Sequence, residues 1–432
     1  MIILGLNIFH ADTSAVLIVN GKIISAIEEE RFTKIKHYSG LPINAIQYCL
    51  NSSNINISEV DTIAVNYNSK YNFLKKVFFS LKNINLTIFN KIISLKKKNS
   101  IKKTLEETLN KKISAKIVHI PHHIAHISSS FFISGLDEVI GLTVDGSGDF
   151  STSESFILEN DSIKIVEKVF YPDSLGIFYQ TFTQYLGFQN YGDEYKVMGL
   201  SSYGKPKYTN RVKKVISYDK CGNFKLNLEY FNHHKNIMNY NFDEGLPFFS
   251  NFFNHKFIEL FGSQRLINDK IEKYHKDLAS TVQKIFEEII ILKILHLHKK
   301  YGKKNLALSG GCFFNSILNG KIHDLEIFDN IFISPFPGDM GGGLGAALYL
   351  VKEREHFKNI PLKTPYLGSN FSNEYIKREI ILEKNLENSD SINFEYYKNF
   401  SEIASLIAKK ISENKLIAWF QDKSEFGPRA LG

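Results

Sequence analysis

The sequence predicts an α/β protein with a duplicated core. Three observations carry this: a strand, polar loop, strand, tight turn and strand at the N-terminus; the same unit again near residue 140; and glycine-rich strand-to-helix loops near residues 310 and 340.

The first unit reads as a strand over Ile2 to Leu6, a loop from Asn7 to Ser14, a strand over Ala15 to Val19, an Asn20-Gly21 turn and a strand over Lys22 to Glu28. Asn-Gly accepts the positive φ that a tight hairpin needs to match the twist of its strands. The second copy runs through Val139 to Val144, the loop Asp145-Gly-Ser-Gly-Asp149, Glu154 to Leu158, a turn at Glu159-Asn-Asp161 and Ser162 to Phe170. Two such units are the signature of an actin-like ATPase architecture, in which pseudo-equivalent lobes face a nucleotide cleft; two unrelated hairpins are the plainer alternative.

Apolar residues recurring every three to four positions predict a helix over His275 to Lys300. A strand over Leu306 to Leu308 runs into Ser309-Gly310-Gly311, and a strand over Ile331 to Ser334 runs through the loop Pro335 to Gly343 into a helix over Leu344 to Val351. Such loops let backbone approach a phosphate and aim helix amides at it. Residues 352–390 are polar and poor in periodicity and read as a connection. A helix over Ser401 to Glu413, a strand over Leu416 to Phe420 and a loop ending at Gly432 then open a new domain. The expected division is therefore 1–351, 352–390 and 391–432, the last a domain cut short.

With 432 residues the chain is too long for a single ordinary core, and 43% hydrophobic with 23% charged residues is a globular balance. Much of the net charge of +8 lies in Lys91 to Lys116, which reads as a solvated helical face, so nucleic acid is disfavoured as a partner. Cys49, Cys221 and Cys312 have no Cys-x-x-Cys spacing, which excludes a zinc ribbon. The greasiest later run, Ile285 to Leu297, is short and broken by charge, and the N-terminus has no basic leader; the expectation is a cytoplasmic protein without a membrane partner.

The sharpest local signal is Pro121-His-His-Ile-Ala-His126. On a helix, residues four apart share a face, so His122 and His126 offer two nitrogens to one metal while His123 points elsewhere. No Glu lies between them as in a metallopeptidase. Carboxylates from cleft loops are expected to complete the set, and Asp145 and Asp339 fit because each follows a strand within a glycine turn, although Asp is common in turns anyway. Two His and two carboxylates suit iron, manganese or zinc with a position open for a phosphate or carbonyl oxygen. In the first loop, His10 and Asp12 are candidates to bind the acceptor or act as general base. The run Glu28 to His37 reads as a solvated charged face. In Gly192 to Gly199, Lys196 is placed to meet phosphate and Glu194 to orient it.

These pieces occur in a telling order: H-x-D-x-S-A from His10, E-E-R-F-T-x-x-K-H from Glu29, H-H-x-x-H from His122, V-D-G-x-G from Val144, S-L-G from Ser174, E-Y-K-V-M-G-L from Glu194, S-G-G-C-x-x-N from Ser309, Gly338-Asp339 and E-F-G-P-R-A-L-G from Glu425. The chain thereby resembles the NodU/CmcH family of O-carbamoyltransferases. The resemblance implies a duplicated actin-like (ASKHA) domain, similar to tRNA threonylcarbamoyl transferase, followed by the start of a YrdC-like α/β domain. It implies that ATP, with Mg2+, and carbamoyl phosphate give carbamoyl-adenylate, from which the carbamoyl group passes to a hydroxyl of a sugar, glycoside or other small molecule. His122, His126, Asp145 and Asp339 fall on the family's metal positions, with Fe2+ the first expectation and Mn2+ or Zn2+ the alternatives. Gly146, Gly148, Glu194, Ser309, Gly310, Gly311, Asn315, Gly341 and Gly342 would line the nucleotide site, Arg429 would begin the carbamoyl phosphate site, and His10, Asp12 and Lys196 would act in catalysis. A homodimer is compatible with this. Because the chain stops early in the YrdC-like domain, transfer from supplied carbamoyl-adenylate is expected of it rather than formation of that intermediate. The competing readings are tRNA threonylcarbamoylation, which the Ser174 to Gly262 region and the Glu425 segment oppose, and a non-catalytic nucleotide-binding protein.

Overall fold

The computed structural model describes residues 1–82, 101–159, 162–235, 245, 247, 249–354, 361–387 and 395–428. Lys96 to Lys98, the turn residues Asn160 and Asp161, and Arg429 lie outside the described residues. The chain divides into two compact units, Met1–Lys363 and Thr364–Gly432.

The larger unit holds two five-stranded sheets. In the first, β1 (Ile2–Asn7), β2 (Ser14–Val19) and β3 (Lys22–Glu28) form an antiparallel meander, and β4 (Thr62–Val65) and β5 (Lys116–His119) continue in parallel from β1, giving the order β3-β2-β1-β4-β5. In the second, β6 (Val139–Gly148), β7 (Ser151–Glu159) and β8 (Ser162–Phe170) form the meander. A small ribbon of β9 (Ile216–Tyr218) and β10 (Phe224–Leu226) stands apart, while β11 (Asn305–Ser309) and β12 (Asn330–Ile333) continue in parallel from β6. The order β8-β7-β6-β11-β12 repeats the first sheet strand for strand, which is the duplicated actin-like arrangement. The central strands are buried on both faces, and their near-continuous apolar text follows from that.

Each lobe sends a helix onto the other. The helix His122–Phe131 follows β5 but packs on β6, β7, β11 and β12; Met340–Arg354 follows β12 but packs on β1, β2 and β4. The two helices also pack on each other, and glycine sets their separation. A Cβ at Gly345 would fall 1.8 Å from the Ala125 carbonyl oxygen, and one at Gly5 would fall 2.1 Å from that of Gly343. The Met340 helix starts four residues before the expected Leu344, so Gly341, Gly342 and Gly343 form its first turn. Their density has a packing cause: a Cβ at Gly341 would fall 2.2 Å from the Phe336 carbonyl oxygen, one at Gly342 2.2 Å from Asn66 Nδ2 and one at Gly343 3.0 Å from the Asn7 nitrogen on β1.

The 29-residue helix Lys273–Tyr301 buries Leu278, Val282, Ile285 and Ile289 among Phe178, Phe182, Tyr185 and Phe257, and ends on Gly302 at φ 64°, the left-handed cap that only glycine adopts without strain. None of the described helices is long and apolar enough to cross a membrane.

In the smaller unit, helices Asn373–Glu387 and Phe400–Ser412 form, and Asn370 bridges Lys423. The strand expected over Leu416 to Phe420 does not form. Leu416 is fully exposed, and among the described residues no neighbouring strand is there to pair its backbone.

Candidate metal centre

The four expected ligands come together where the two lobes' crossover helices begin. His122 is the first residue of its helix and His126 lies one turn on, both side chains buried. Asp339 immediately precedes the Met340 helix of the other lobe. Asp145 leaves β6 at a break in register between Val144 and Gly148, a bulge that turns its carboxylate out of the ladder and toward the imidazoles. Ser174 supports the bulge from behind, its hydroxyl donating to the carbonyls of Asp145 and Gly146 while it caps the helix Leu175–Tyr185.

The distances fit one ion. Nε2 of His122 and Nε2 of His126 stand 3.0 Å apart. Asp145 Oδ2 lies 2.9 Å from His126 Nε2 and 3.5 Å from His122 Nε2; Asp339 Oδ1 lies 3.3 Å and 3.5 Å from the same atoms. Ligand atoms held at about 2.1 Å by a single cation are separated by about 3.0 Å at right angles and about 3.4 Å at tetrahedral angles. The Asp145 Oδ2 and Asp339 Oδ1 atoms are buried without an aligned hydrogen bond, as atoms reserved for a cation would be.

Electrostatics agree. Burial alone would lower the His126 pKa, but the Asp145 and Asp339 carboxylates outweigh it and raise it to about 9. Burial would raise both carboxylates, yet the imidazoles hold them below the usual range. Without metal the cluster therefore keeps a proton where a cation fits. His123, on the other side of the helix, bonds Thr143 through Nδ1 and is pushed down to about 3, chiefly by burial.

Other expected site residues take varied places. His10 approaches Asp339 at 3.7 Å, stacks on Tyr67 and tilts against His122, so it fronts the metal cluster. Asp12 turns away and bonds His37. Lys196 Nζ sits on Asp193 at 2.7 Å and over the Phe188 and Tyr195 rings. Glu194 interacts with Asp145 and is pushed up to about 7, mainly by burial. Gly148 makes room for the His122 ring, with a would-be Cβ 2.0 Å from its Cδ2, whereas Gly146 faces open space. Gly310, at φ 99°, lies against Val144, and Gly311 lies against the Asp145 carboxylate. The Ser309 hydroxyl bonds the Pro337 carbonyl, and the Asn315 side chain caps the helix Ser316–His323 and bonds Gln283. The amides of Gly341 and Gly342 donate to the carbonyls of Gly338 and Asp339.

The charge run Glu28 to His37 is not a solvated face. Glu28 and Glu29 are buried, and the Glu29 carboxylate accepts from the amides of Asn44 and Ala45, capping the helix Ile43–Asn51. A dense run of mixed charge gives no periodic signal of burial, and the partner is 15 residues away. Asp149 was equally hard to see: its Oδ2 accepts the His122 amide at 2.9 Å, across 27 residues.

A model of the carbamoyltransferase N-terminus matches residues 2–348. The chain is 32% identical to an uncharacterized protein of Synechocystis sp., over all of this chain and 70% of that protein. It is 29% identical to nodulation protein NolNO of Sinorhizobium fredii, over 99% of this chain and 58% of the relative. With an uncharacterized protein of Methanocaldococcus jannaschii it shares 30% identity over all of this chain and 72% of the relative. The chain thus spans between about three fifths and three quarters of the length of these relatives.

Proposed function

We propose that this chain, which belongs to the carbamoyltransferase family, moves a carbamoyl group from carbamoyl-adenylate to a hydroxyl of a sugar, glycoside or other small molecule. The single observation behind this reading is the convergence of His122, His126, Asp145 and Asp339 on one point, where the helices that cross between the two sheets begin. A divalent cation held there, iron first, would act as a Lewis acid on a phosphate or carbonyl oxygen of the donor.

The chain's own residues supply the rest. Asp145 and Asp339 give the centre two negative charges, which favours a dication over a water or a monovalent ion. His10 stands beside Asp339, where it can hydrogen-bond an acceptor or donor oxygen brought to the cluster. Gly146, beside Asp145 and with nothing within 4 Å of where a Cβ would stand, would let a nucleotide's phosphate come near the cluster, while Gly310 and Gly311 pack against Val144 and Asp145. Arg429 would belong to a carbamoyl phosphate site. Carbamoyl-adenylate itself would form from ATP, with Mg2+, and carbamoyl phosphate at that site.

The test is direct. Synthetic carbamoyl-adenylate given to the metal-loaded chain with a panel of glycosides should yield AMP and a carbamoylated product by mass spectrometry. Release of AMP at the buffer rate, with every acceptor, would overturn the reading.

A further inference from the structure

On the transferase reading, a base must take the proton of the attacking hydroxyl, and we infer that His37, oriented by Asp12, is that base. Nothing in the periodicity of the sequence singles out His37. Its Nδ1 lies 2.7 Å from Asp12 Oδ1, and both residues adopt the left-handed backbone conformation, φ 58° in each case. Non-glycine residues persist there only when their surroundings hold them, and such residues gather at functional sites.

The surroundings do hold them. The His37 amide donates to Glu30 Oε2 at 2.8 Å, Lys36 Nζ to Glu30 Oε1 at 3.0 Å, the Thr13 amide to the Tyr38 carbonyl and the Phe9 amide to the Gly40 carbonyl. Residues 37–40 are thereby laid along the loop that carries His10 to Asp339. On the other side, Gly192 at φ 82° keeps clear the space that a Cβ would fill 2.3 Å from His37 Nε2. Among the described residues Nε2 has no hydrogen bond, and it is not buried. The loop that these backbone bonds tie to residues 37–40 is the one whose His10 stands 3.7 Å from Asp339, so the imidazole is anchored to the segment that fronts the metal cluster.

Asp12, Glu30 and His37 are close enough to suggest a second metal. Their bonding argues otherwise: Nδ1 is engaged by Asp12, and both Glu30 oxygens are engaged by donors, one of them the Lys36 cation. The arrangement is instead a carboxylate–imidazole pair. A carboxylate on Nδ1 fixes the proton there and leaves the Nε2 lone pair bare. As the acceptor oxygen bonds to the carbamoyl carbon, its proton passes to Nε2, and the bond from that carbon to the donor's phosphate oxygen breaks, AMP leaving with the electron pair. Burial lowers the His37 pKa, but the hydrogen bond and charge of Asp12 outweigh it, and the net shift is upward with Glu30, Lys36 and Glu194 as the other facing charges.

The experiment supplies carbamoyl-adenylate to the full chain with two probe nucleophiles: hydroxylamine, which needs no base, and glycerol, which does. Wild type should carbamoylate both. His37→Gln should keep hydroxylamine transfer within about twofold and lose glycerol transfer about 100-fold or more. Asp12→Asn should weaken glycerol transfer and move the rising limb of its pH profile downward. Equal loss toward both nucleophiles in both variants, or loss toward neither, overturns the role of His37. A wild type that carbamoylates hydroxylamine alone also overturns it, whereas one that carbamoylates neither overturns the transferase reading itself.

Discussion

The carboxylate of Asp149 accepts a hydrogen bond from the backbone amide of His122 at 2.9 Å, and the same oxygen accepts from Asn68 at 2.8 Å. An acidic group thus anchors the first turn of the ligand helix, where amides have no partner within the helix and the dipole favours negative charge. It also ties that helix to the loop after β4. Asp149→Ala should cost about 1–2 kcal/mol of unfolding free energy and weaken metal affinity about 10-fold, because His122 loses its fixed origin. Urea unfolding and metal titration check the two effects separately.

The metal cluster is expected to depend on all four ligands and on no neighbour equally. Asp339→Asn and His126→Ala should each reduce metal from about one ion per chain to a trace, read by atomic spectroscopy on protein reconstituted with Fe2+ or Mn2+. His10→Gln should keep its metal, since His10 reaches only the second oxygen of Asp339, at 3.7 Å. Loss of metal in His10→Gln at the level of Asp339→Asn would place His10 among the ligands.

Protons compete with the metal. His126 has its folded pKa raised to about 9, against ~6.5 when unfolded, so in metal-free protein its contribution to stability is complete below pH ~6.5 and is lost as pH rises through about 9. Chelated protein should therefore lose stability across that window. Loaded protein should not, since a cation replaces the proton. Metal binding at pH 7 should release protons, detectable as a dependence of the calorimetric heat on the ionisation enthalpy of the buffer.

What could be read from sequence divides along physical lines. The hairpins were legible because Asn20-Gly21 between two apolar runs is a local signal, and His122 with His126 because four residues make about one helical turn. Asp145 and Asp339 were reached by their place in glycine-rich turns near strand ends, and in the structure both carboxylates lie beside His122 and His126. Contacts between distant segments were not legible. Glu29 capping Ala45, Asp149 on His122 and Asp12 on His37 depend on tertiary placement, and a charged residue looks the same in sequence whether it is solvated or capping. The glycines at 341–343 are ambiguous in sequence for a related reason: glycine serves anion-binding loops and close helix packing alike, and the packing on Phe336, Asn66 and Asn7 shows only in the structure.

The same ambiguity yields a sharp test inside the loop after β6. Gly146 and Gly148 are two residues apart in one glycine-rich turn, yet a methyl group added at Gly146 meets nothing within 4 Å, while one at Gly148 would lie 2.0–2.6 Å from three atoms of the His122 ring. The ring cannot yield without moving Nε2 away from His126, since Nε2 itself is the atom 2.6 Å from the added methyl. Gly148→Ala should therefore lower metal affinity at least about 10-fold and destabilise the fold by roughly 1–3 kcal/mol, the range for overpacking a filled site. Gly146→Ala should leave both within about 0.5 kcal/mol of wild type. If this space holds the phosphate of carbamoyl-adenylate, the same substitution should instead raise the concentration of donor needed for half-maximal transfer, with metal content unchanged. Paired metal titrations and donor saturation curves on the two variants separate a glycine that seats a ligand's imidazole from one that admits a substrate.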